Sequence, residues 1–227
     1  MTLDAQAPIR SYAAEALGTA LLLAAVVGSG IMAEQLSAGN TGVALLANAI
    51  ATGGALYVLI LGIGPISGAH FNPLVSLIEA AFKRLPRKQL PGYLVAQFVG
   101  ALAGVLLAHA MFNLELVQHS EHVRSTRGEI ISEVVAAFGL WFVIATSSRA
   151  NPAKTPMAVA LYIVAAYWFT ASTSFANPAV TLARSFTNTF AGIRIDDVAP
   201  FIAAQLAGGA LAAALTAWLF PRTREAA

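Results

Sequence analysis

Apolar residues run along this chain in long blocks separated by short polar or charged breaks. No Asp, Glu, Lys or Arg occurs between Glu15 and Glu34, Lys88 and Glu115, Lys154 and Arg184, or Asp197 and Arg222. Each gap holds about 18 to 29 residues, and a membrane-spanning helix needs roughly 20. The gap from Glu34 to Glu79 is about twice as long and has to hold more than one membrane element. The blocks predict helices at about 9–33, 43–63, 91–112, 128–146, 156–170 and 198–220. Two shorter apolar pieces interrupt the series, each behind a small-residue approach. Gly64-Pro65-Ile66-Ser67-Gly68-Ala69-His70-Phe71 leads into Asn72-Pro73-Leu74-Val75-Ser76-Leu77-Ile78, and Ser172-Thr173-Ser174-Phe175-Ala176 leads into Asn177-Pro178-Ala179-Val180-Thr181-Leu182-Ala183. The first has about ten residues before Glu79, Lys83 and Arg84, too few to span. The predicted architecture is an all-α membrane protein with six transmembrane helices and two re-entrant half-helices. Glu15 lies inside the first block and no small-residue cleavage site follows it, so that block is expected to be a retained helix rather than a secretory signal.

The placement of the short pieces exposes an internal repeat. Asn-Pro-Leu-Val-Ser-Leu-Ile-Glu at 72–79 resembles Asn-Pro-Ala-Val-Thr-Leu-Ala-Arg at 177–184, an offset of 105 positions. Ala96-Gln97-Phe98-Val99-Gly100 matches Ala204-Gln205-Leu206-Ala207-Gly208 at an offset of 108, and each half carries one glutamate in its first helix, Glu15 and Glu133. The chain is therefore expected to be a single channel domain, 1–227, with repeat one at about 9–112, repeat two at about 128–220 and an outer loop at 113–127. Each half has three spans, an odd number, so the second inserts inverted. With both termini on one side, that side carries nine basic residues (Arg10, Lys83, Arg84, Arg87, Lys88, Arg149, Lys154, Arg222 and Arg224) against Arg124, Arg127, Arg184 and Arg194 opposite. An excess of positive charge marks the cytoplasmic side, so the expected location is the cell membrane, multi-pass, with both termini cytoplasmic.

Composition narrows the function classes. At 58% hydrophobic and 11% charged, with a mean hydropathy of +0.71, the chain is unlike a soluble domain, where charged residues are about 25%. This argues against a soluble enzyme or a disordered chain. The formal charge of +2 comes from scattered residues, not a basic stripe, and no nucleic-acid partner is expected. There is no cysteine, hence no disulfide and no thiolate metal site. No nucleophile, base and orienting partner come together at a membrane-accessible place, so no enzyme activity and no cofactor are expected.

Non-helical backbone at membrane depth survives only where protein buries it or a watery cavity borders it. The two approach stretches should therefore line a pore. Asparagine caps a helix, and proline in the first helical position loses no hydrogen bond, so Asn72-Pro73 and Asn177-Pro178 read as half-helix starts. In an inverted repeat both starts meet near the bilayer centre, each helix end contributing about half a positive charge there. Cations are repelled, and the carboxamide NH₂ groups of Asn72 and Asn177 can donate to a passing neutral solute. Asn151-Pro152-Ala153, a third copy, lies between Arg149 and Lys154 with no apolar run behind it and reads as a cytoplasmic turn. Glu15 and Glu133 are placed to accept backbone N–H bonds from the re-entrant loops, as braces rather than proton relays. His70 is expected to form part of the pore wall, with no second ligand nearby and no metal site. His119, Glu121 and His122 read as a solvated loop.

Ser67-Gly68-Ala69-His70-Phe71-Asn72-Pro73 and Asn177-Pro178-Ala179, with Glu15, Glu133, Gln97 and Gln205, resemble the paired signature of the aquaporin, or major intrinsic protein, family over essentially the whole chain. The resemblance is to bacterial-type members of the aquaglyceroporin-like or metalloid-permeable branch. It implies a homotetramer of separate pores in membrane lipid, with passive flow of water or small neutral solutes. It also implies a path lined by backbone carbonyls of Ala69, His70 and Phe71 and of Thr173, Ser174 and Phe175. Leu74 stands where the first motif usually has alanine, which is expected to reshape the central constriction slightly. Water-selective members place arginine directly after the second Asn-Pro-Ala, where this chain has Val180; by the same spacing the rest of the outer filter falls on Thr52, Ala165 and Ser174. All four are small and uncharged. A wider filter is expected to pass glycerol or neutral metalloid hydroxides such as arsenous acid. The alternatives are a water-selective aquaporin and, from another class, a proton-coupled secondary transporter, since inverted repeats and broken helices occur in carriers too.

Arg184 lies four residues after Val180 on the same half-helix face, about one turn, roughly 5.4 Å, nearer the outer mouth. It is a candidate cationic gate in the vestibule, displaced from the filter. The plainer expectations are that it caps the half-helix or snorkels to the interface, and that its repeat mate Glu79 pairs with Lys83. Gly100 and Gly104, with Gly208 and Ala212 in the mate, are spaced for close helix crossing, and Trp141, Trp168 and Trp218 are expected as interface anchors.

Overall fold

The structure is a computed structural model that describes residues 7–221; Arg222 and Arg224, two of the basic residues counted for orientation, lie outside that range. Among the described residues every regular element is a helix, without strands. α1 (Ala7–Leu36), α2 (Thr41–Ser67), α4 (Leu90–Met111), α5 (Arg127–Ala150) and α8 (Ile195–Leu219) are each long and apolar enough to cross a membrane. α6 (Thr155–Phe169) has 15 residues, about 22 Å of rise, and is extended at its start by a 3₁₀ turn at Pro152–Lys154. α3 (Pro73–Ala81) and α7 (Pro178–Ala183, continued by a 3₁₀ turn at Arg184–Phe186) are the half-helices.

Local chemistry sets the boundaries. Asn40 caps α2, its Oδ1 accepting the Val43 N–H at 3.1 Å. Thr126 and Glu129 form a reciprocal capping box on α5. α2 runs four residues past its expected end at Ile63 and takes in Pro65. Proline there costs one hydrogen bond in the final turn only, and Gly68, with φ 86°, closes the helix by donating its N–H to Gly64 O.

The two halves pack alike. α1 crosses α4, and α5 crosses α8, at very short range. A side chain at Gly100 would collide with the carbonyl of Ala16, and one at Gly208 with that of Val134, the equivalent residue of the other half. The half-helices sit between these pairs, α3 against α4 and α8 and α7 against the same two helices, and touch each other. Trp168 and Trp218 are exposed on the outer surface, whereas Trp141 is 1% exposed. It is therefore no interface anchor: its ring packs with Leu74 and Ile78 in the core, and its Nε1 donates to Thr216 Oγ1 at 3.3 Å.

Candidate functional site: the pore

A cavity of about 410 Å³ extends from Glu79, Arg84, Ser148 and Thr155 at one end to Thr52, Tyr167 and Arg184 at the other. Four helices wall it with stripes at four-residue spacing: Leu22 and Val26; Thr52, Leu56 and Ile60; Leu140, Ile144 and Ser148; Val159, Ile163 and Tyr167. The remaining wall is the two re-entrant segments. α4 and α8 contribute no wall residue; they hold the half-helices from behind.

Each re-entrant approach carries three residues in the left-handed region, at matching repeat positions: Gly68, Ala69 and Phe71 in one, Thr173, Ser174 and Ala176 in the other. Such a backbone is unfavourable for residues with a Cβ, by about 1 kcal/mol or more each, and persists only where its surroundings impose it. The glutamates do so. The Glu15 carboxyl accepts from Ser67 Oγ (2.6 Å), His70 N (2.9 Å), Phe71 N (2.7 Å) and Gln97 Nε2 (2.8 Å). The Glu133 carboxyl accepts from Ser172 Oγ (2.6 Å), Phe175 N (2.9 Å), Ala176 N (2.9 Å) and Gln205 Nε2 (2.6 Å). Gln97 and Gln205 go on to Ser76 and Thr181 on the half-helices, both at 2.8 Å. Both glutamates are fully buried and neither borders the cavity.

The two asparagines meet at the centre. Asn72 Oδ1 accepts Leu74 N at 2.9 Å, and Asn177 Oδ1 accepts Ala179 N at 3.0 Å, so each caps its own half-helix. Asn72 Nδ2 donates to Ala176 O at 2.8 Å and Asn177 Nδ2 to Phe71 O at 2.7 Å. Each amide thus spends one N–H on the opposite repeat and keeps one, and both residues border the cavity. Asn151 does none of this: it ends α5 on an exposed turn.

The other sequence-predicted positions divide. Ala69, His70, Phe71, Thr52, Ser174, Phe175, Val180 and Arg184 border the cavity. Pro73, Pro178 and Ala179 are buried in the first turns of their half-helices, and Thr173 is half-buried and is not among the residues that border the cavity. Leu74 points away from the pore, against Gly209 and Trp141, so it does not shape the central constriction. Ala165 lies on the exposed face of α6 and does not border the cavity; Tyr167, two residues on, does, and its hydroxyl meets that of Thr52 at 3.2 Å. The signal was available: Val159, Ile163 and Tyr167 share one helical face, and Ala165 is on the opposite one.

Arg184 is 3% exposed and does not snorkel. Its guanidinium stacks on the Phe175 ring, 3.5 Å from the centroid, and its Nε donates to Ala191 O in the chain beyond the half-helix. Glu79 pairs with Arg84 instead of Lys83, through two contacts of 2.6 and 2.8 Å. α3 ends at Ala81 and Lys83 adopts φ 60°, which folds the chain back so that Arg84 N and Glu79 O are joined and Lys83 is turned outward. Arg84 also lies over the rings of Phe82 and Trp141. His70 Nδ1 lies 2.9 Å from Ser76 Oγ, as a wall residue. His119, Glu121 and His122 are exposed in the outer loop, and among the described residues no group of three or more His, Cys, Asp or Glu is arranged to hold a metal.

The family model for the major intrinsic protein matches residues 2–171. The chain is 55% identical over 215 residues to "Aquaglyceroporin AqpS" of Rhizobium meliloti (strain 1021), covering 95% of this chain and 92% of that one. It is 30% identical over 228 residues to "Aquaporin Z" of Bradyrhizobium diazoefficiens, with 93% of each chain covered. Its fold is similar to that of the aquaglyceroporin from Plasmodium falciparum, with a TM-score of 0.71 at 22% identity, over 95% of this chain and 96% of the other.

Proposed function

Because the chain belongs to the major intrinsic protein family, whose members are membrane channels and not enzymes, we propose that it passively conducts glycerol-like polyols, neutral metalloid hydroxides such as arsenous acid, and water, while excluding protons and ions. The observation that carries this reading is the composition of the outer filter. Val180 borders the cavity where an arginine would narrow it, and the nearest cation, Arg184, is drawn back onto Phe175. What remains at that end of the cavity is three hydroxyls, of Thr52, Tyr167 and Ser174, together with apolar Val180 and, one turn along α2 from Thr52, Leu56. A polyol or a trihydroxy metalloid has hydroxyls for the first group and a less polar flank for the second.

Ion exclusion follows from the central arrangement. Two half-helix N-termini direct about half a positive charge each at the crossing point. The one N–H that each asparagine keeps donates to a solute oxygen from either side, which leaves a water molecule there no acceptor site for a proton arriving along the file. Along the way, backbone carbonyls of Ala69, His70 and Phe71 and of Thr173, Ser174 and Phe175 offer acceptors for solute hydroxyls, and Arg184 acts as the cation of the outer vestibule. The two repeats, about 9–112 and 128–220, work as one channel unit in the cell membrane with both termini cytoplasmic, assembled as a homotetramer. Tyr167 favours a second reading, a water-selective pore, because it makes one filter wall bulkier than Ala165 would.

Stopped-flow light scattering on proteoliposomes separates the readings. The wild type is expected to pass water, glycerol and arsenous acid, and Val180→Arg to lower glycerol flux about tenfold or more, what about 1.4 kcal/mol amounts to, while retaining water. A wild type that passes water alone overturns the wide-filter reading. Flux that saturates at low solute concentration, or collapses with the proton gradient, overturns the channel reading in favour of a carrier.

A further inference from the structure

Two arginines from different parts of the chain lie over one ring. Arg184, in the turn after α7, has its Cζ 3.5 Å from the centroid of Phe175; Arg124, in the outer loop, has its Cζ 5.1 Å from the same centroid. They also hold consecutive carbonyls. Arg184 Nε donates to Ala191 O, and Arg124 Nε to Gly192 O at 2.9 Å. Ile193 N returns a bond to Arg184 O at 3.2 Å, and Arg124 N is fixed on Asp197 Oδ2 at 2.8 Å. Phe201 closes the edge of the Phe175 ring, with centroids 5.3 Å apart. Two guanidiniums beside each other repel, and the arrangement stands because one aromatic ring and two carbonyls hold them, while Asp197 fixes the Arg124 backbone and pairs with Arg194.

The outer loop is fastened over the same stretch. Gln118 N donates to Phe186 O (3.2 Å), Ser120 N to Ser185 O (3.1 Å), and Arg194 N to His122 O (2.7 Å). His109, fully buried at the end of α4, joins the two segments from below, with Nδ1 2.8 Å from Leu116 O and Nε2 2.7 Å from Thr187 Oγ1. Gly192 lies so close to Ser120 and Thr187 that no side chain fits there.

We infer that Arg124 is a positioning residue of the outer filter: with Arg184 it grips Phe175 and the 191–192 carbonyls, and so fixes how far the Arg184 guanidinium stands from the pore axis. The outer loop is then a built part of the selectivity filter and not a moving gate. This rests on the reading above, in which Arg184 is the cation of the outer vestibule. In the wild-type protein Arg184 borders the cavity, and its one hydrogen bond to the described residues uses Nε, which leaves the terminal nitrogens for solute hydroxyls. Without Arg124, one face of the Phe175 ring and the Gly192 carbonyl lose their partner, and Arg184 is free to swing toward the opening.

The test compares Arg184→Gln, Arg124→Gln, Arg124→Lys, Phe175→Leu and the Arg124→Gln/Arg184→Gln pair in proteoliposomes, reading the ratio of glycerol to water permeability and not total flux. Arg124→Gln is expected to change that ratio about fivefold, the scale of one cation–π contact. Lysine at 124 restores most of it, because a cation again covers the ring. The paired variant matches Arg184→Gln within about twofold, since Arg124 acts only through Arg184. Should Arg124→Gln insert poorly, Phe175→Leu removes the shared ring while leaving the loop bonds, and it is expected to shift the ratio in the same way. If Arg184→Gln shifts the ratio but neither Arg124→Gln nor Phe175→Leu does, or if the effects of Arg124 and Arg184 simply multiply, the inference is wrong and the role of Arg184 stands. If Arg184→Gln itself leaves the ratio unchanged in a conducting channel, the vestibule reading falls and this inference with it.

Discussion

The hydroxyls of Thr52 and Tyr167 meet at 3.2 Å across the outer end of the cavity, joining α2 of one repeat to α6 of the other. The pair puts two hydroxyls on that wall of the cavity, and the bond between them restrains the phenol. Tyr167→Phe keeps the bulk and removes the bond, and is expected to change glycerol flux by no more than about fivefold, the worth of one neutral hydrogen bond. Tyr167→Ala removes the wall, and is expected to admit the four-carbon polyol erythritol at rates that approach those of glycerol. Stopped-flow measurements with the two polyols check this; erythritol exclusion unchanged in Tyr167→Ala would put the size limit elsewhere.

Glu15 and Glu133 each gather four donors, two of them backbone N–H groups of a left-handed stretch. Glu15→Gln or Glu133→Gln turns an acceptor oxygen into a donor facing other donors. A cost of about 1.5–3 kcal/mol for the charged-group bonds is expected in either variant. Thermal unfolding in detergent should show a lowered midpoint for both, of similar size because the braces are equivalent. A variant with unchanged midpoint but altered proton leak would instead assign the residue to proton handling.

The glycines make a prediction of opposite signs. Gly100→Ala and Gly208→Ala drive a methyl into the carbonyls of Ala16 and Val134, and about 1–3 kcal/mol of destabilisation is expected from each. Gly54→Ala on α2 meets nothing within 4 Å, so the helix-propensity gain of about 0.5–1 kcal/mol is expected to appear as a stability equal to or above wild type. Equal losses at all three sites would mean that glycine acts through something other than helix approach.

At the end of the cavity away from Thr52, Glu79 holds Arg84 through both carboxylate oxygens on one guanidinium edge, Nε and Nη2, with the rings of Phe82 and Trp141 beneath. Glu79→Gln leaves Arg84 a cation without its counter-charge on the cavity wall. Exposed pairs contribute only about 0–1 kcal/mol, so the folding midpoint is expected to stay near wild type. Anion leak, measured as a chloride-dependent potential in the same vesicles, is expected to rise at low salt and to be suppressed at high salt. Leak that does not respond to ionic strength would count against a role for the uncompensated charge.

Much of this architecture is legible in the sequence because lipid imposes a severe grammar. A stretch such as 68–72, rich in small residues and lying within a long uncharged run, has no place in hydrocarbon except as a re-entrant loop, and a glutamate in each repeat's first helix, Glu15 and Glu133, points to a polar partner inside the protein. What escaped depends on angles that spacing does not encode. Counting from the motif reached Ala165, whereas the rotation of α6 presents Tyr167. The positive φ at Lys83 exchanges it for Arg84 as the partner of Glu79, and a helix-face rule assumes that the helix continues. Trp141 looks like an interface residue by type, but the space between α5 and α8 takes it in.

The crossed asparagine bonds also make each half of the chain depend on the other. Asn72 finds its acceptor on Ala176, and Phe71 its donor on Asn177, more than 100 positions further along the chain. A ribosome that has delivered only the first half has therefore produced a re-entrant hairpin with its tip unfinished. Until α7 arrives, the Asn72 amide and the Phe71 carbonyl lack the partners that hold them in the complete fold.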